Sequence, residues 1–185
     1  MRAATVLYKR IVEEAVGSGL LTPDELVGPP DEELLLEIRR RAEAEDGPIA
    51  ERLATRWLPA LRNRRLPKRA LELTAADLSG VELAGWVVAD SSQKRALEDE
   101  LALELELEPG ELVIDFPVKP TMFGLDALIQ RRNGSVQRLG DGGLRGVIDL
   151  PRVSAELYRA AQVLRVFVFE RRELAADRVL QAIGG

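Results

Sequence analysis

The stretch RNRRLPKRALEL, residues 62–73, marks the place where the pattern of the chain changes. Before it, apolar residues recur with helical spacing. After it, short apolar segments separated by Gly and Pro predict strands as well as helices. The stretch itself predicts a turn followed by a short strand at about Lys68–Leu73. Helices first and a mixed region second predict an α+β fold, with a helical segment at residues 1–62 and an α+β lobe with an antiparallel sheet at 63–185.

Three helices are predicted before residue 62, because apolar residues recur there at helical spacing. Pro59 lies inside the last of them and predicts a kink or an early end, because its nitrogen carries no hydrogen. A single helical turn is predicted at Thr22–Glu25. The three helices are predicted at 2–16, ended by Gly17 and Gly19, at 31–45, capped by Asp31, and at about 48–61, capped by Asp46.

The region after residue 62 alternates short predicted strands with helices. Asn133-Gly134 predicts a hairpin turn between two strands. Residues 81–90 (VELAGWVVAD) are ambiguous between strand and helix. Other strands are predicted at 111–117, 127–133, 135–139, 145–149 and 166–170, and helices at 91–110, capped by Ser91 or Ser92, at 153–164, capped by Ser154, and at 173–183.

The composition predicts a soluble globular protein in the cytoplasm. Of the 185 residues, 46% are hydrophobic and 31% charged, and no apolar run approaches the roughly 20 residues that span a bilayer. Arg2, Lys9 and Arg10 interrupt any signal-peptide pattern. A net charge of -5 and an aromatic content of 4% argue against nucleic-acid binding.

The sequence contains no His and no Cys, which excludes a Ser-His-Asp triad and makes a zinc-type site improbable. Phosphate-loop and dinucleotide-binding motifs are also absent, and the glycine-rich residues 140–146 predict a loop. Carboxylates alone could hold Mg²⁺. The acidic groups at Glu13/Glu14, Asp31–Glu33 and Glu98–Glu100, however, have spacings typical of solvated helix faces. No catalytic residue, metal ligand or cofactor is therefore predicted in this chain.

Two basic clusters remain as candidate phosphate sites. The first, RNRRLPKR at 62–69, contains five cations and no acid. It either binds phosphate through its guanidinium groups or forms the cationic end of a helix followed by a solvated strand face. The second is formed by Lys119 with cations of the predicted hairpin, which would bring Arg131 or Arg132 near Arg138 and which also fits a strand edge protected by charge. The phosphate-binding candidates are Arg64, Arg65, Lys68, Lys119, Arg131 and Arg132.

The order of these segments resembles the C-terminal half of HD-domain phosphohydrolases of the deoxynucleoside triphosphate triphosphohydrolase type, the group that includes the SAM-and-HD-domain dNTPase. The resemblance covers nearly all of the chain. It rests on several weak motifs in a specific order: RAATVLYKRIVEEAVGSGLL, DEELLLEI, LRNRRLPKRALEL with Arg62, Asn63, Leu66 and Lys68 in place, ELVIDFPVKPTMFGLDALIQRRNG, SAELYRAAQVL and RVFVFERRE.

The resemblance implies a hydrolase of nucleoside triphosphates whose divalent metal is held by His and by a His-Asp pair. This sequence has none of those histidines and resembles the family from just after its last active-site histidine. We therefore expect the chain to be inactive alone and to partner a missing HD catalytic half. We also expect it to bind nucleotide phosphates and to form a homo-oligomer through an apolar stripe of the first helix at Val6, Leu7 and Ile11. The alternative is a stand-alone regulatory or protein-interaction module without catalysis.

Overall fold

The fold is α+β, as predicted. A computed structural model describes residues 2–81, 91–116, 127–140, 142–144 and 148–184. They form two compact units. The first unit comprises Met1–Glu72, Leu83–Asp115 and Arg165–Gly185, and the second comprises Leu73–Glu82 and Phe116–Leu164. The division into domains at 1–62 and 63–185 stays a prediction.

Helices of the first unit follow the apolar spacing of the sequence. The predicted single turn is a 3₁₀ turn at Pro23–Leu26, which Glu25 caps by accepting hydrogen bonds from the amide and the hydroxyl of Thr22. The helices are α1 (Arg2–Gly17), α2 (Asp31–Ala42), α3 (Pro48–Arg52), α4 (Leu58–Arg62), α5 (Ser91–Glu104) and α7 (Ala176–Gly184).

The caps predicted for α2 and α3 are wrong. The residue before α2 is Pro30, and Asp31 is the first helical residue, whose carboxylate accepts a hydrogen bond of 2.9 Å from the hydroxyl of Tyr8. The residue before α3 is Gly47 rather than Asp46. Gly47 has a φ of 142°, which a side chain would strain.

Pro59 changes the hydrogen bonding of the third predicted helix without ending it. A π-helical segment at Leu53–Trp57 separates α3 from α4, and the amide of Leu58 donates to the carbonyl of Leu53. This wider π-helical pattern accommodates Pro59, which has no amide hydrogen to donate to the preceding turn. The predicted kink is therefore a π-helical insertion, and the helix continues to Arg62.

The core of the first unit lies among α1, α2 and the segment from α3 to α4. Leu7 and Ile11 of α1 are both 0% exposed, and they pack with Ile38, Leu53 and Trp57. Val6 is also buried, against Val113 and Phe167 of the sheet. The apolar stripe of α1 that was expected to be exposed is therefore buried within the chain, because the neighbouring helices and the sheet cover it.

A three-stranded sheet lies mostly in the first unit. Its strands are β1 (Lys68–Thr74), β5 (Val163–Val168) and β2 (Leu112–Asp115), in that order across the sheet. β2 and β5 are antiparallel, with Leu112 opposite Val168 and Asp115 opposite Arg165. The strands predicted at 68–73, 111–117 and 166–170 are confirmed with shifted ends.

The second unit contains the predicted hairpin. β3 (Ala127–Gln130) and β4 (Val136–Leu139) pair antiparallel, and Gly134 occupies the turn with a φ of 82°. Helix α6 (Leu150–Ala161) begins before Ser154. The amide of Arg152 donates to the carboxylate of Asp149, so Asp149 caps this helix and the predicted cap at Ser154 is wrong. Leu139, Leu144 and Leu150 form the local core.

Some sequence predictions fall outside the described residues. The ambiguous segment at 81–90 is described only at Val81, and the strand predicted at 145–149 only at its last two residues. Ile148 forms a single antiparallel bridge with Leu144. Lys119 and the loop around it also lie outside the described residues.

Candidate functional site

The basic segment, Arg62–Arg69, connects the end of α4 to the start of β1. It is anchored in its middle, because Leu66 packs against the helical core and Pro67 is buried. Anchoring of this kind fixes the backbone on both sides of the charged residues. The cations of the segment are therefore presented from an ordered connection.

Four of the five cations in the basic segment have no acidic partner among the described residues. The exposed side chains of Arg62, Arg64, Arg65 and Lys68 form no ion pair there. Arg69 differs, because its guanidinium lies 2.6 Å from the carboxylate of Glu72. Guanidinium groups without a carboxylate partner can bind phosphate oxygens with two parallel hydrogen bonds.

The backbone at Arg64 has an unusual conformation. Its φ is 54°, in the left-handed region, and it follows the helix end at Asn63. Helices often end in this way, but glycine is the usual residue there because a side chain costs about 1–2 kcal/mol in that region. Arg64 therefore occupies a position where glycine would be more stable.

The second predicted cluster is only partly described. Arg131 and Arg132 follow β3 in the turn of the hairpin, and the guanidinium of Arg131 donates to the side chain of Gln137 at 3.0 Å. The strand register places Arg138 opposite Leu128. Arg138 is therefore not the direct cross-strand neighbour of Arg131 or Arg132, and their predicted proximity within the hairpin stays a prediction.

Arg64, Arg65 and Lys68 share one segment of the first unit, whereas Arg131 and Arg132 share one turn of the second. The structure thus brings together the candidates of each cluster that it describes. The basic segment has the larger number of cations without a described acidic partner. We therefore take it as the candidate site.

A buried charge cluster in the first unit was not predicted. It consists of Arg10 and Glu14 of α1 and Glu98 of α5, and Glu98 is 3% exposed. The guanidinium of Arg10 bonds to both carboxylates, at 3.1 Å to Glu14. The other oxygen of Glu98 accepts a hydrogen bond of 2.7 Å from the amide of Ile114. The cluster therefore links two helices and a strand.

Two more cations surround this cluster. The ammonium of Lys94 lies 3.7 Å from Glu98, and the guanidinium of Arg95 lies 3.6 Å from Glu14. Burial raises the pKa of Glu98 despite the attraction of Arg10 and Lys94. Burial alone would lower the pKa of Arg10, but its two carboxylate partners outweigh this and the pKa is raised.

A small cavity of about 150 Å³ lies beside the buried charge cluster. Trp57 forms one wall, and its indole N–H donates a 3.1 Å hydrogen bond to the carbonyl of Gly110. The guanidinium of Arg52 lies 5.8 Å from the centre of the indole ring. Among the described residues, every buried side-chain polar atom has a hydrogen-bond partner. These mutual contacts indicate a structural role for the cluster.

The prediction that the acidic pairs lie on solvated faces is wrong for Glu14 and Glu98. A signal for Glu14 was present in the sequence, because it follows Leu7 and Ile11 at the spacing i, i+4, i+7 that places residues on one helix face. Glu98 similarly precedes the buried Leu101 by three residues. An acid on an apolar stripe indicates a buried ion pair as well as a solvated face.

The residues of this chain do not fit the metal centre of an HD domain. That centre needs imidazole ligands, and the sequence contains no His. Within the described ranges, no group of three or more Asp or Glu residues is placed to hold a metal ion. No helix in those ranges has the length and apolar character needed to cross a membrane.

Comparison with known proteins shows the family of this chain. The family model described as "HD associated region" matches residues 1–143, which is more than half of the chain and includes the basic segment and the buried charge cluster. Neither the curated proteins nor the solved structures provide a significant match.

Proposed function

Because the chain belongs to the family of HD-associated regions, we propose that it acts beside an HD domain, as the C-terminal portion of a metal-dependent phosphohydrolase of (deoxy)nucleoside triphosphates. In this proposal the HD domain supplies the His and Asp ligands of the metal and performs the hydrolysis. The chain described here supplies cations for the substrate phosphates and a surface for assembly.

The basic segment is the observation that carries this proposal. Its four cations without described acidic partners lie within seven consecutive residues, Arg62–Lys68, of a protein whose net charge is -5. A triphosphate is compact and highly charged, and several guanidinium groups can contact its oxygens at once. The anchored backbone also reduces the entropy lost when these side chains bind a ligand.

Thermal unfolding in the presence of a triphosphate tests the phosphate part. A site with a Kd of about 1 mM in about 5 mM dGTP or tripolyphosphate would stabilise the native chain by about 1 kcal/mol. The variant Arg64→Ala/Lys68→Ala should lose this protection. High salt should also remove it from the wild type, because the contacts are exposed.

The matched control is Arg171→Ala/Arg178→Ala. It removes two other exposed arginines of the first unit that have no ion pair with a described residue. Equal protection of both variants would show a general counterion effect and contradict the proposed site. An unchanged melting temperature of the wild type in millimolar nucleotide would do the same.

The catalytic part has its own experiment. The purified chain should release no triphosphate above background with Mg²⁺, Mn²⁺, Fe²⁺ or Co²⁺, because metal catalysis needs positioned ligands. A longer chain containing an HD segment should be active under the same conditions. Metal-dependent triphosphate release by the 185 residues alone, abolished by one Asp or Glu substitution, would overturn this part.

A stand-alone interaction module is the second candidate, and the exposed side chain of Leu36 on α2 favours it. The DNA upstream of Met1 distinguishes the two functions. An in-frame segment with the histidines of an HD domain supports the phosphohydrolase, whereas a stop codon and a promoter support the separate module.

A further inference from the structure

One face of α2 combines an exposed apolar side chain with charges of opposite sign at its two ends. Leu36 is 64% exposed, whereas Leu34 and Ile38 on the other side of the helix are buried in the core. The first turn of α2 carries Asp31, Glu32 and Glu33, and the last turn carries Arg39, Arg40 and Arg41.

The surface around Leu36 has the shape of a ridge between two hollows. A groove of about 660 Å³ separates α2 from α4, and its apolar walls come from Leu35, Leu36, Leu58, Pro59 and Leu61. A second hollow of about 410 Å³ lies on the other side of Leu36, towards the connection before α2. A ridge beside a groove of this kind can fit the same surface of another molecule.

The residues of α2 that line the groove are spaced along one stripe. Glu32, Leu36 and Arg39 follow each other at i, i+4 and i+7, and Leu35 lies beside them. Glu32 and Arg39 are about 10 Å apart along the helix, at 1.5 Å per residue, and so do not pair with each other within one chain. Glu32 forms no ion pair among the described residues. Arg39 pairs with Glu43 of its own helix at 2.7 Å, but this pair is half exposed and the guanidinium has further N–H groups. Glu32 and Arg39 can therefore both meet charges of a partner helix that runs in the opposite direction.

We propose that this face of α2 is an interface between two copies of the chain, in which the two α2 helices pack antiparallel about a two-fold axis between Leu35 and Leu36. In this arrangement Glu32 of each copy faces Arg39 of the other, so the same ion pair forms twice. Leu36 of each copy enters the groove between α2 and α4 of the other. The proposal rests on the assembly part of the proposed function and assigns a surface to it.

The charge pattern favours a second copy over another occupant. A two-fold axis brings unlike residues of the same sequence together, so one acid and one base on a helix face suffice for complementarity at both ends. The apolar centre with a charged rim also matches the anatomy of known interfaces. The sequence predicted the apolar stripe of α1 as the interface between copies, but this stripe is buried within the chain and cannot contact a second copy.

Sedimentation equilibrium of the full chain tests the proposal. The wild type should form a dimer at tens of micromolar concentration. Leu36→Glu should raise the Kd of the dimer at least about tenfold, because it places two carboxylates in the apolar centre. Since Leu36 is exposed, circular dichroism should show an unchanged helix content.

Charge reversal tests the antiparallel arrangement. Glu32→Arg and Arg39→Glu should each weaken the dimer, because each places like charges together at both ends. The double variant restores both ion pairs with exchanged partners and should dimerise like the wild type. Glu43→Arg, which changes the partner of Arg39 within the same helix, is the control for effects on the helix itself.

Several outcomes would overturn the inference. The first is a wild type that is monomeric at about 10⁻⁴ M, a concentration at which a specific interface should be occupied. The second is a dimer whose Kd does not rise in Leu36→Glu. The third is a double charge variant that dimerises as weakly as the single variants. A chain that associates only with an added HD domain would also overturn it, since the face would then have a different occupant. Protection by triphosphate is measured on the same samples, so a failure of the phosphate site is seen separately.

Discussion

Arg10 and Arg64 are two arginines of the same compact unit, and their surroundings differ in burial and in acidic partners. Arg10 is buried and bonded to two carboxylates, whereas Arg64 is exposed and has no acidic partner among the described residues. The buried guanidinium contributes its charge to the packing of α1 on α5. In the proposed function, the exposed one offers its charge to a triphosphate. The partner, rather than the residue type, therefore decides whether an arginine serves the fold or a site.

The largest expected effect comes from breaking the buried charge cluster. Glu98→Ala leaves the charge of Arg10 buried with one partner fewer, which should lower the free energy of unfolding by about 3–5 kcal/mol. Urea denaturation followed by circular dichroism measures this. Glu100→Ala, an exposed acid on the same helix, should change the free energy by less than about 0.5 kcal/mol. A loss below about 1 kcal/mol for Glu98→Ala would show that the cluster is dispensable for stability.

A smaller effect of opposite sign is expected at Arg64. Arg64→Gly relieves the left-handed backbone and should raise the free energy of unfolding by about 0.5–1 kcal/mol, after the greater freedom of glycine in the unfolded chain is subtracted. The same change should weaken protection by triphosphate. Thermal unfolding with and without tripolyphosphate measures both quantities in one series.

Glu106→Gly is the matched control for this substitution. Glu106 also has a left-handed backbone, with a φ of 57°, and its side chain has no cationic group. It should gain stability and keep the full protection by triphosphate. If both glycine variants lose protection equally, the effect of Arg64→Gly comes from the backbone and not from its guanidinium.

The smallest expected effect is on the pH dependence of stability, in which the partly exposed Glu25 and Glu37 differ from the buried Glu98. A hydrogen bond from Arg41 lowers the pKa of Glu25 to about 2, and one from Arg40 lowers that of Glu37 to about 2. Because these folded-state values lie below the unfolded ones, both groups add stability above about pH 4.5 and lose it as the pH falls towards 2. The raised pKa of Glu98 acts in the opposite direction, so its ionisation lowers stability as the pH rises.

The double variant Glu25→Gln/Glu37→Gln tests whether these two carboxylates add stability at neutral pH. It should be less stable than the wild type at pH 7, and the difference should vanish as the pH approaches 2. Denaturation curves recorded at steps of pH between 7 and 2 give the comparison. A difference that stays constant over this range would mean that the ion pairs with Arg40 and Arg41 add nothing to the fold.

The sequence was sufficient to predict elements whose signals are local. The periodicity of α1, the Asn133-Gly134 turn and the strand after Pro67 are all confirmed. Helix caps were less predictable, because Asp31, Asp46 and Ser154 compete with neighbours that can fill the same position. Pro30, Gly47 and Asp149 take those positions in the structure.

The buried charge cluster could not be assembled from the sequence, because its members are far apart in the chain. Arg10 and Glu98 are separated by 88 positions, and only packing of α1 on α5 brings them together. The charge density of the basic segment was visible in the sequence. The sequence could not show that four of these cations have no described acidic partner, because that depends on where every acid of the first unit lies.

Trp57 gives this protein an optical reporter of its own fold. Its buried indole is hydrogen-bonded to the carbonyl of Gly110, 53 positions later, so its emission depends on a contact between distant parts of the first unit. The other tryptophan is Trp86, and Trp86→Phe would leave Trp57 as the single tryptophan. A blue-shifted emission that moves to the red on unfolding would then report the state of one identified contact, without any added label.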